Sequence, residues 1–487
     1  MKLKCTYSMK LLAILFIMNS NSVVQGSIQV TSSNGDISTK EFWPSGNIPE
    51  SDIVVFAQSG GKYTATADVT LGSVRINQST TLDLESSGNH TIKTSKFYIG
   101  YQTRAAYLKG GMVDLSGVSM GPDGTTQVND GDFMGCVING GTYGTIIELS
   151  GCIVTNVNRL RIGNGGGNNQ LKITNSSRVH SKGSFLWAKS TAGNGLLEVS
   201  SGGQLYITGS LYDGYTDINK VADTTNRIVV TGNGSKVSVT GNFYIGSDYG
   251  RNSVLVSEGG ELIASTKFSL GNGVNANTNS AVFEKDAKFW MRDINVGEYG
   301  SCGNVLEFRS GAFGTIEAGG RVGGWKGAGS DNMIVVSNAT VSATGVLGIG
   351  APSSEVDVSK MSGNGLVIQG RETSLSITSS LLLKNRSYLR IEVSSNGYAD
   401  GFTPLSANKV TFDDTSSLDV VVVGSVGFVN NLRLVSAPNG ITVSEAALAA
   451  ANANLFEQTN GRVRLAIADG GNAIDLKVSK GMVVSLR

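Results

Sequence analysis

A short motif of the form apolar-x-apolar-Gly recurs along this chain at a nearly constant spacing, and no other feature limits the possible folds as strongly. The clear copies are LRIG from Leu160, FYIG from Phe243, FSLG from Phe268, INVG from Ile294 and LGIG from Leu347. The weaker copies are FLWA from Phe185, LYDG from Leu211 and GRVG from Gly320. Neighbouring copies begin 25 to 32 residues apart, and most intervals are 25 to 27 residues. A regular period of this length indicates a chain built from stacked structural repeats.

Each period contains three short apolar segments. In the copy FYIGSDYGRNSVLVSEGGELIAST, residues 243–266, these segments are separated by Gly, Asn and Ser. The segments are rich in Val, Ile, Leu and Phe, which favour β-strands, whereas the residues between them favour turns. The chain has 65 Gly and only 6 Pro among 487 residues, which fits a folded, turn-rich protein. We expect the glycines that end the segments to adopt a positive φ.

Three strands of this length cannot bury their apolar faces alone, but stacked coils can close a continuous core. The pattern therefore predicts an all-β fold: a single-stranded parallel β-helix (solenoid) with three short strands per coil of about 26 residues and a cap at each end. A β-sandwich needs longer strands, and a β-propeller needs a period of about 40–50 residues. About a dozen coils, at about 4.8 Å per stacked strand, give a rod roughly 60 Å long.

The period divides the chain into four parts. We predict a signal peptide at 1–26, an N-terminal cap at 27–70, a β-helix repeat region at 71–399 and a C-terminal cap at 400–487. The C-terminal cap contains a predicted short helix at 444–458, for which Ser444 is a suitable N-cap and Asn460 precedes a glycine stop. The apolar residues expected on one side of this helix are Leu448, Leu455 and Phe456.

The first residues have the pattern of an export signal. Lys2, Lys4 and Lys10 accompany a short apolar run. Small side chains before and at Gly26 suit cleavage there. The apolar run is far shorter than the about 20 residues of a transmembrane helix. We therefore expect an exported protein, secreted or at the cell surface, whose mature chain does not insert into a membrane.

The charge balance excludes one class of partner. The chain has 39 basic and 38 acidic residues, and its formal net charge is +1. A protein held to nucleic acid by phosphate contacts carries a basic block or a basic excess, so we expect no nucleic-acid partner. With only two histidines and no Cys-x-x-Cys motif, we also expect no metal site and no cofactor.

The cysteines leave two interpretations open. Removal of the signal peptide leaves Cys136, Cys152 and Cys302. Export permits a disulfide between Cys136 and Cys152, which flank a hairpin-like run. An odd number of cysteines is a poor disulfide framework, so three small buried residues are the simpler interpretation.

The repeat and two longer runs resemble a known family. Besides the hydrophobic-x-Ile/Val-Gly motifs, the chain contains NSVLVSEGGEL and the capping run GFTPLSANKVTFDDTSSLDV. Over residues 28–480 it resembles exported parallel β-helix proteins of Gram-negative bacteria, namely autotransporter passengers with autotransporter-associated β-strand repeats and PEP-CTERM-type repeat proteins. The resemblance implies adhesion and surface display in a Gram-negative bacterium, with no catalytic residues. After the cap we expect neither the autotransporter membrane barrel nor a sorting tail.

Several polar residues invite an enzymatic interpretation but lack its context. The run Gly117-Val118-Ser119-Met120-Gly121 matches the nucleophile elbow of serine hydrolases, which needs a following helix and a later acid and His. We interpret Ser119 as part of an ordinary repeat turn, and His180 as an exposed strand or turn residue. Three carboxylate pairs of the kind that glycosidases use are interpreted as loop residues: Asp130 with Asp132, Asp213 with Asp217, and Asp413 with Asp414.

Aromatic residues follow the motif glycines in several coils. They are Tyr101, Tyr215, Tyr249, Tyr299 and Trp325. If the coils stack in register, these side chains lie near one edge of the rod, in loops that also contain acidic residues. Two interpretations stay open: a glycan-binding edge that uses the aromatic faces, or an external ladder of mutually packed rings.

The main functional hypothesis is a non-enzymatic exported β-helical rod for adhesion or cell-surface display. Whether such a rod binds a polysaccharide or a host or cell-surface glycan is left open. The alternative is a carbohydrate-active enzyme, either a polysaccharide lyase or a glycoside hydrolase, on a pectate-lyase-like β-helix. A third interpretation is a soluble glycan-binding module. The enzyme requires a concave cleft where carboxylates or Arg and Lys converge from neighbouring coils, whereas a purely structural rod should have scattered polar residues and no cleft. The oligomeric state is left open.

Overall fold

The alternation of apolar and polar residues in each short segment produces strands that pair in parallel from one coil to the next. The computed structural model describes residues 27–86, 88–99, 105–116, 118–120, 126–128, 132–135, 144–162, 168–187, 194–215, 225–324, 327–352, 356–399 and 402–479. The fold is an all-β parallel β-solenoid of about 13 turns, with coils of about 27 residues, three parallel sheets and little helix. The predicted fold class is confirmed.

Sheet 1 contains the first strand of each coil, 15 strands in the described chain, all paired in parallel. Its strands are β2 (Asn34–Asp36), β4 (Gly61–Thr64), β7 (Thr80–Asp83), β10 (Ala105–Lys109), β15 (Ile146–Ser150), β17 (Gln170–Thr174), β19 (Leu196–Ser200), β22 (Arg227–Thr231), β25 (Ser253–Ser257), β28 (Ser280–Phe283), β31 (Val305–Arg309), β34 (Met333–Ser337), β37 (Gly365–Gln369), β39 (Tyr388–Ser394) and β41 (Ser417–Val423).

Sheet 2 follows after a tight turn. Its separate strands are β5 (Val69–Thr70), β8 (Thr91–Lys93), β11 (Met112–Asp114), β20 (Gln204–Ile207), β23 (Lys236–Val239), β26 (Glu261–Ala264), β29 (Lys288–Met291), β32 (Phe313–Ile316), β35 (Thr340–Ala343) and β42 (Leu432–Ser436). Four longer strands continue from sheet 2 into sheet 3, namely β16 (Ile153–Ile162), β18 (Arg178–Trp187), β38 (Ser374–Leu383) and β40 (Leu405–Phe412). Register shifts within the pairings of these strands mark the bend between the two sheets.

Sheet 3 carries the recurring motif. Its separate strands are β1 (Ser27–Val30), β3 (Ile53–Phe56), β6 (Ser73–Ile76), β9 (Lys96–Ile99), β14 (Asp132–Gly135), β21 (Leu211–Tyr215), β24 (Asn242–Ile245), β27 (Lys267–Leu270), β30 (Ile294–Val296), β33 (Gly319–Val322), β36 (Val346–Ile349) and β43 (Ile441–Thr442). The remaining strands are antiparallel: β12 (Val118–Met120) pairs with β13 (Thr126–Val128), and β44 (Val463–Ala468) pairs with β45 (Ala473–Val478).

The core lies inside the three sheets and runs the length of the rod. In β25, Val254 and Val256 point inward and are buried, while Leu255 between them is half-buried on the outer face. The same alternation in each coil joins the inward side chains into one continuous cluster. Period-2 alternation therefore specifies, coil by coil, which residues form the core and which are displayed.

The motif residues stack in one inward column, as the period predicts. Phe243 pairs with Phe268, Phe268 with Ile294, Ile294 with Gly320, and Gly320 with Leu347. One weaker copy differs by one residue from its predicted start: Leu160 of the column pairs with Ser184, and Phe185 pairs with Arg161. The copy at 185 falls inside the long strand β18, which continues from sheet 2 into sheet 3 without a break.

A row of buried asparagines fixes the turn before several successive strands of sheet 1. In five successive coils this residue is a fully buried Asn: Asn252, Asn279, Asn304, Asn332 and Asn364. The Oδ1 atoms of the last four each accept hydrogen bonds from the backbone N–H and the side-chain Nδ2 of the ladder Asn one coil earlier, at 2.9–3.2 Å. The row, called here the asparagine ladder, satisfies buried backbone donors that the sheets leave unpaired.

The motif glycines are required by the asparagine ladder. Gly271 and Gly297 have φ values of +79° and +83°, in the left-handed region that favours glycine. A Cβ atom on either would lie 2.5 Å from the Nδ2 atom of the ladder residue in the next coil, Asn304 or Asn332. The expected positive φ is confirmed, and steric contact with the ladder gives a second reason for glycine.

The parallel coils extend beyond the region in which the motif can be recognised. At the N-terminal end β1 already pairs in parallel with β3, and β2 with β4. At the C-terminal end β41 still pairs in parallel with β39. The solenoid therefore includes residues that the period alone assigns to the two caps.

One α-helix, α1 (Glu445–Thr459), lies near the C-terminal end of the described chain. The Ser444 side chain accepts a hydrogen bond from the Ala447 N–H at 3.1 Å, and Asn460 ends the helix in the left-handed conformation. Leu455 is buried and Leu448 packs on the core, as predicted. Phe456 is 65% exposed, so its predicted place on that face is wrong, since adjacent helix positions point about 100° apart.

Replacement of Phe268 by Asp should strongly destabilise the rod. The Phe268 side chain is fully buried, and its ring contacts those of Phe243 and Phe283 at centroid distances of 5.3 and 6.4 Å. An unpaired carboxylate there should lower the free energy of unfolding by about 4 kcal/mol. The control Val274→Asp changes an exposed side chain and should alter it by at most about 0.5 kcal/mol. Equal urea midpoints for the two variants would contradict the inward column.

Removal of one rung of the asparagine ladder should have a similar effect on stability. In Asn304→Ala the buried backbone N–H of Asn279 loses its acceptor, and Asn332 loses the side-chain donor from residue 304. Each unsatisfied buried group costs about 1–3 kcal/mol. Chemical denaturation should show a loss of about 2–4 kcal/mol. The control Asn233→Ala, at an exposed turn residue, should remain close to wild type.

Candidate functional site

The outer face of sheet 3 is formed by the variable x position of the motif. Because the strands are in register, these residues form an outward column, one residue per coil. The column runs Tyr212, Tyr244, Ser269, Asn295, Arg321, Gly348 and Leu382. Its character changes along the rod, from aromatic through polar and basic to a position without a side chain.

A groove of about 600 Å³ lies around Gly348, the position where the outward column has no side chain. Gly348 forms its floor between Arg321 and Leu382, which occupy the neighbouring strands. The groove crosses β30, β33, β36 and β38, a span of about 14 Å between the outer strands. Its other lining residues come from the bends at either side of sheet 3. They are Thr266, Arg292, Asp293, Asn295, Ala318, Gly320, Val346, Ala351, Pro352 and Lys384.

The groove has an excess of positive charge. Among the described residues that line it are Arg292, Arg321 and Lys384 and one acid, Asp293, so three positive groups face one negative group there. Arg292 and Lys384 are exposed, and Arg321 is half-buried beside Asp293. Burial raises the pKa of Asp293, which the charges of Arg321 and then Lys267 partly offset. The groove is thus locally basic in a chain that is almost neutral overall.

A buried ion pair lies beside the groove, on the same face of the rod. The Lys267 ammonium donates to both carboxylate oxygens of Glu298, at 2.7 and 2.9 Å, and the Ser269 hydroxyl donates to one of them at 2.8 Å. The Glu298 side chain is 1% exposed. Lys267 also lies 4.9 Å from the centre of the Tyr244 ring. The charge of this lysine is therefore already compensated by Glu298.

Asn295 is a polar group at the floor of the groove with unused hydrogen-bonding capacity. Its side chain is 2% exposed, and its Nδ2 atom has no hydrogen-bond acceptor among the described residues. Buried amide donors are almost always paired in folded proteins. An unpaired donor here marks the groove floor as a place where a further polar group can be accommodated.

Two other depressions show no comparable charge. One lies beneath α1 and includes Arg390, Asp414 and Asp419. The other lies at the corner between sheets 1 and 2 and includes Arg371 and Glu372. Positive and negative groups are nearly balanced in both, so the groove on sheet 3 is the strongest candidate for a binding site.

The predicted aromatic edge does not coincide with the groove. Tyr249 is only 6% exposed, so its ring face is not presented to solvent. Tyr299 is half-buried in a segment that forms a parallel bridge with Gly327. Tyr101 and Trp325 lie outside the described residues, as does the side chain of Tyr215. The burial of Tyr249 fits the packed-ladder interpretation better than a sugar platform.

The aromatic part of the outward column is itself packed. The rings of Tyr212 and Tyr244 stack at a centroid distance of 5.0 Å with an interplanar angle of 27°. Each ring covers one face of the other, and the Lys267 ammonium lies 4.9 Å from the centre of the Tyr244 ring. Such a pair stabilises adjacent coils, and its stacked faces are not free to pack on a sugar ring.

The residues first considered for hydrolase chemistry are not assembled into a site in the described chain. Ser119 lies in β12, opposite Gln127 of an antiparallel hairpin, and not in the expected repeat turn or at a strand-to-helix turn. His180 is exposed on β18, as predicted, and stacks on Tyr206 at 4.9 Å. Cys152 is a free, buried thiol whose pKa burial raises to about 12, while Cys136 lies outside the described residues.

The carboxylate pairs also fail to converge where they can be seen. Asp413 accepts hydrogen bonds from the Asn385 N–H at 2.8 Å and from Ser416 at 2.8 Å, which gives it a structural role in a turn. Asp130 and Asp217 lie outside the described residues, as does the side chain of Asp132. Asp213 is not a loop residue, since it lies within the strand β21 and points into the core.

Asp213 is a buried carboxyl group in an otherwise apolar position. It pairs with Ile245 in the next coil and is fully buried. Neither of its carboxylate oxygens has a hydrogen-bond partner among the described residues. Burial raises the pKa of Asp213 to about 7, and the nearby Asn226 side chain and Gly214 N–H lower it only in part. The folded chain therefore favours the protonated, neutral form.

The stability of the protein should fall as the pH rises from about 4 to about 7. An aspartate in the unfolded chain loses its proton near pH 4, whereas folded Asp213 keeps it up to about pH 7. In this window the folded state binds the extra proton, so raising the pH favours unfolding. Asp213→Asn should remove this decline and exceed wild type by a few kcal/mol above pH 7. Urea unfolding at several pH values across this window measures the decline in stability. The exposed control Asp286→Asn should keep the pH dependence of the wild type.

Comparison with known proteins identifies no relative. No model of a known protein family, no curated protein and no solved structure matches this chain. What the structure supports of the family resemblance is the parallel β-solenoid. In the described part of the chain, no helix combines the length and apolar character needed to cross a membrane. Nor do three or more His, Cys, Asp or Glu side chains there form a group that could hold a metal ion.

Proposed function

We propose that this protein is an exported, non-enzymatic β-helical rod that binds a glycan in the groove on the outer face of sheet 3. Adhesion or cell-surface display is the role that such a rod serves. The observation that carries the proposal is the groove itself, an open depression lined by polar and basic side chains from successive coils. The signal-like residues at 1–26 support the export part of the proposal.

The shape of the groove suits a chain-like polar ligand. Pockets for small molecules are usually enclosed and mostly apolar. This groove is open, crosses four strands of sheet 3, and includes Thr266, Asn295 and three basic groups along its length. A linear polysaccharide presents hydroxyl and acidic groups along an extended chain, so its polar groups can meet side chains of several coils at once.

A carbohydrate-active enzyme is the second candidate. An enzyme of this class requires a concave groove in which basic groups and an acid meet, and the groove on sheet 3 has this arrangement. The arrangement disfavours a two-carboxylate glycosidase. Among the described lining residues only Asp293 contributes a carboxylate, and Glu298 beside it is buried in its ion pair with Lys267. A polysaccharide lyase, which uses basic groups to hold a uronate and remove a proton, fits the lining better.

Glycan binding should be detectable and should depend on the groove. We expect the purified protein to bind members of a glycan array, and Arg321→Ala to weaken that binding by about tenfold, as loss of a charge-assisted contact does. Tyr299→Ala, on the aromatic edge, serves as the comparison and should bind as wild type. Circular dichroism and thermal melting establish that both variants are folded.

The same samples distinguish binding from catalysis. Reducing ends and unsaturated products should not accumulate when the protein is incubated with the glycans that it binds. Steady product release that Arg321→Ala abolishes would establish the lyase alternative. An absence of binding to every glycan would refute the proposed function.

A further inference from the structure

We infer that the groove selects polyanionic glycans, whose carboxylate or sulfate groups are held by Arg292, Arg321 and Lys384. This inference rests on the proposed function and adds the chemical class of the ligand. The three basic groups come from three different coils, so they present charge along the rod axis and not at a single point. A ligand with acidic groups repeated along a chain matches this arrangement.

The groove retains positive charge that the protein does not compensate. Arg292 and Lys384 are exposed and have no ion-pair partner among the described residues. Arg321 is the one cation of the lining whose charge acts on Asp293. By contrast, Lys267 next to the groove is neutralised by Glu298 at 2.7 Å. Among the described lining residues, positive charges exceed negative charges by two, which favours an anionic ligand over a neutral or cationic one.

The floor of the groove allows a ligand to approach these cations closely. Gly348 has no side chain, and it lies directly beside Arg321 on the neighbouring strand. An added Cβ atom at Gly348 would lie 2.9 Å from the Cβ atom of Ala351, so even a methyl group would crowd the floor. The planar guanidinium of Arg321 can donate two parallel hydrogen bonds to a carboxylate or sulfate placed over this glycine.

A further hydrogen-bond donor lies beside Arg321 in the floor of the groove. Asn295 occupies the strand on the other side of Arg321, in register with it. Its Nδ2 atom lacks an acceptor among the described residues. Gly348, Arg321 and Asn295 are thus neighbours on three successive strands. Gly348 lets a ligand approach the backbone closely, Arg321 supplies a cation, and Asn295 supplies an amide donor without an acceptor. We assign the acidic group of the ligand to Arg321 and an adjacent hydroxyl or ring oxygen to Asn295.

The test uses three polymers of matched length and the full-length protein. Polygalacturonate supplies carboxylates, chondroitin sulfate supplies sulfates as well, and dextran is neutral. Binding is measured by calorimetry at low and at high salt. We expect affinity for at least one acidic polymer, a marked loss of that affinity at high salt, and no measurable binding of dextran.

Matched variants locate the binding. Arg292→Ala/Lys384→Ala changes two exposed groove residues, so the fold should be unaffected, and binding should fall by about tenfold or more. The control Lys109→Ala/Arg227→Ala removes the same total charge from exposed positions on sheet 1 and should bind as wild type. Thermal melting of both double variants checks that they remain folded.

Each outcome decides between the inference and the proposed function. Binding of either acidic polymer that falls only in the groove variant supports the inference, and the polymer that binds identifies the anion. Equal losses in the groove and control variants would show non-specific charge attraction and overturn the inference. Dextran binding as strong as that of the acidic polymers would overturn the inference but leave the proposed function standing. No binding of these three polymers would overturn the inference, while a neutral hit on the glycan array would still preserve the proposed function.

Discussion

The asparagine ladder is the interaction on which the rest of the rod depends. Each ladder residue ties the backbone at the start of a sheet 1 strand to the next coil, through hydrogen bonds of 2.9–3.2 Å from Asn252 to Asn364. The ladder side chains are buried, so water does not compete for these bonds, and a coil that slipped by one residue would leave several polar groups unpaired. Over these coils the ladder therefore fixes the register of all three sheets, and with it the positions of the outward side chains.

Much of the fold could be predicted because one chemical pattern serves the core in every coil. The inward column from Phe243 to Leu347, the glycines with positive φ and the Ser444 cap each follow from local sequence. The predicted motif start at Phe185 is wrong by one residue because β18 continues through the bend as a single strand. The asparagine ladder had a visible signal, an Asn before each of five successive sheet 1 strands, but its meaning depends on contacts between residues about 27 positions apart.

The candidate site could not be predicted in the same way, because it uses the positions that the fold leaves free. Arg321 and Gly348 occupy the variable x positions of the motif copies GRVG and LGIG. Arg292 and Lys384 lie in bends, 92 residues apart in sequence, and only the stacking of the coils brings them to one groove. The aromatic residues attracted attention because they recur, yet recurrence in a solenoid is more typical of packing, as in the stacked pair Tyr212 and Tyr244. In such a fold, a site is marked by a departure from the repeat.

The C-terminal end of the rod has a consequence for assembly. A stack of parallel coils ends in unpaired backbone groups and an open apolar interior, to which another stack can add. Here α1 lies over this end, where Gln458 accepts a hydrogen bond from the Val422 N–H at 3.2 Å and Asn452 bonds to the Leu465 backbone. The antiparallel strand β45 occupies the edge of β42, so the direction of pairing is reversed there. Coil-on-coil addition is therefore blocked at this end of the described chain.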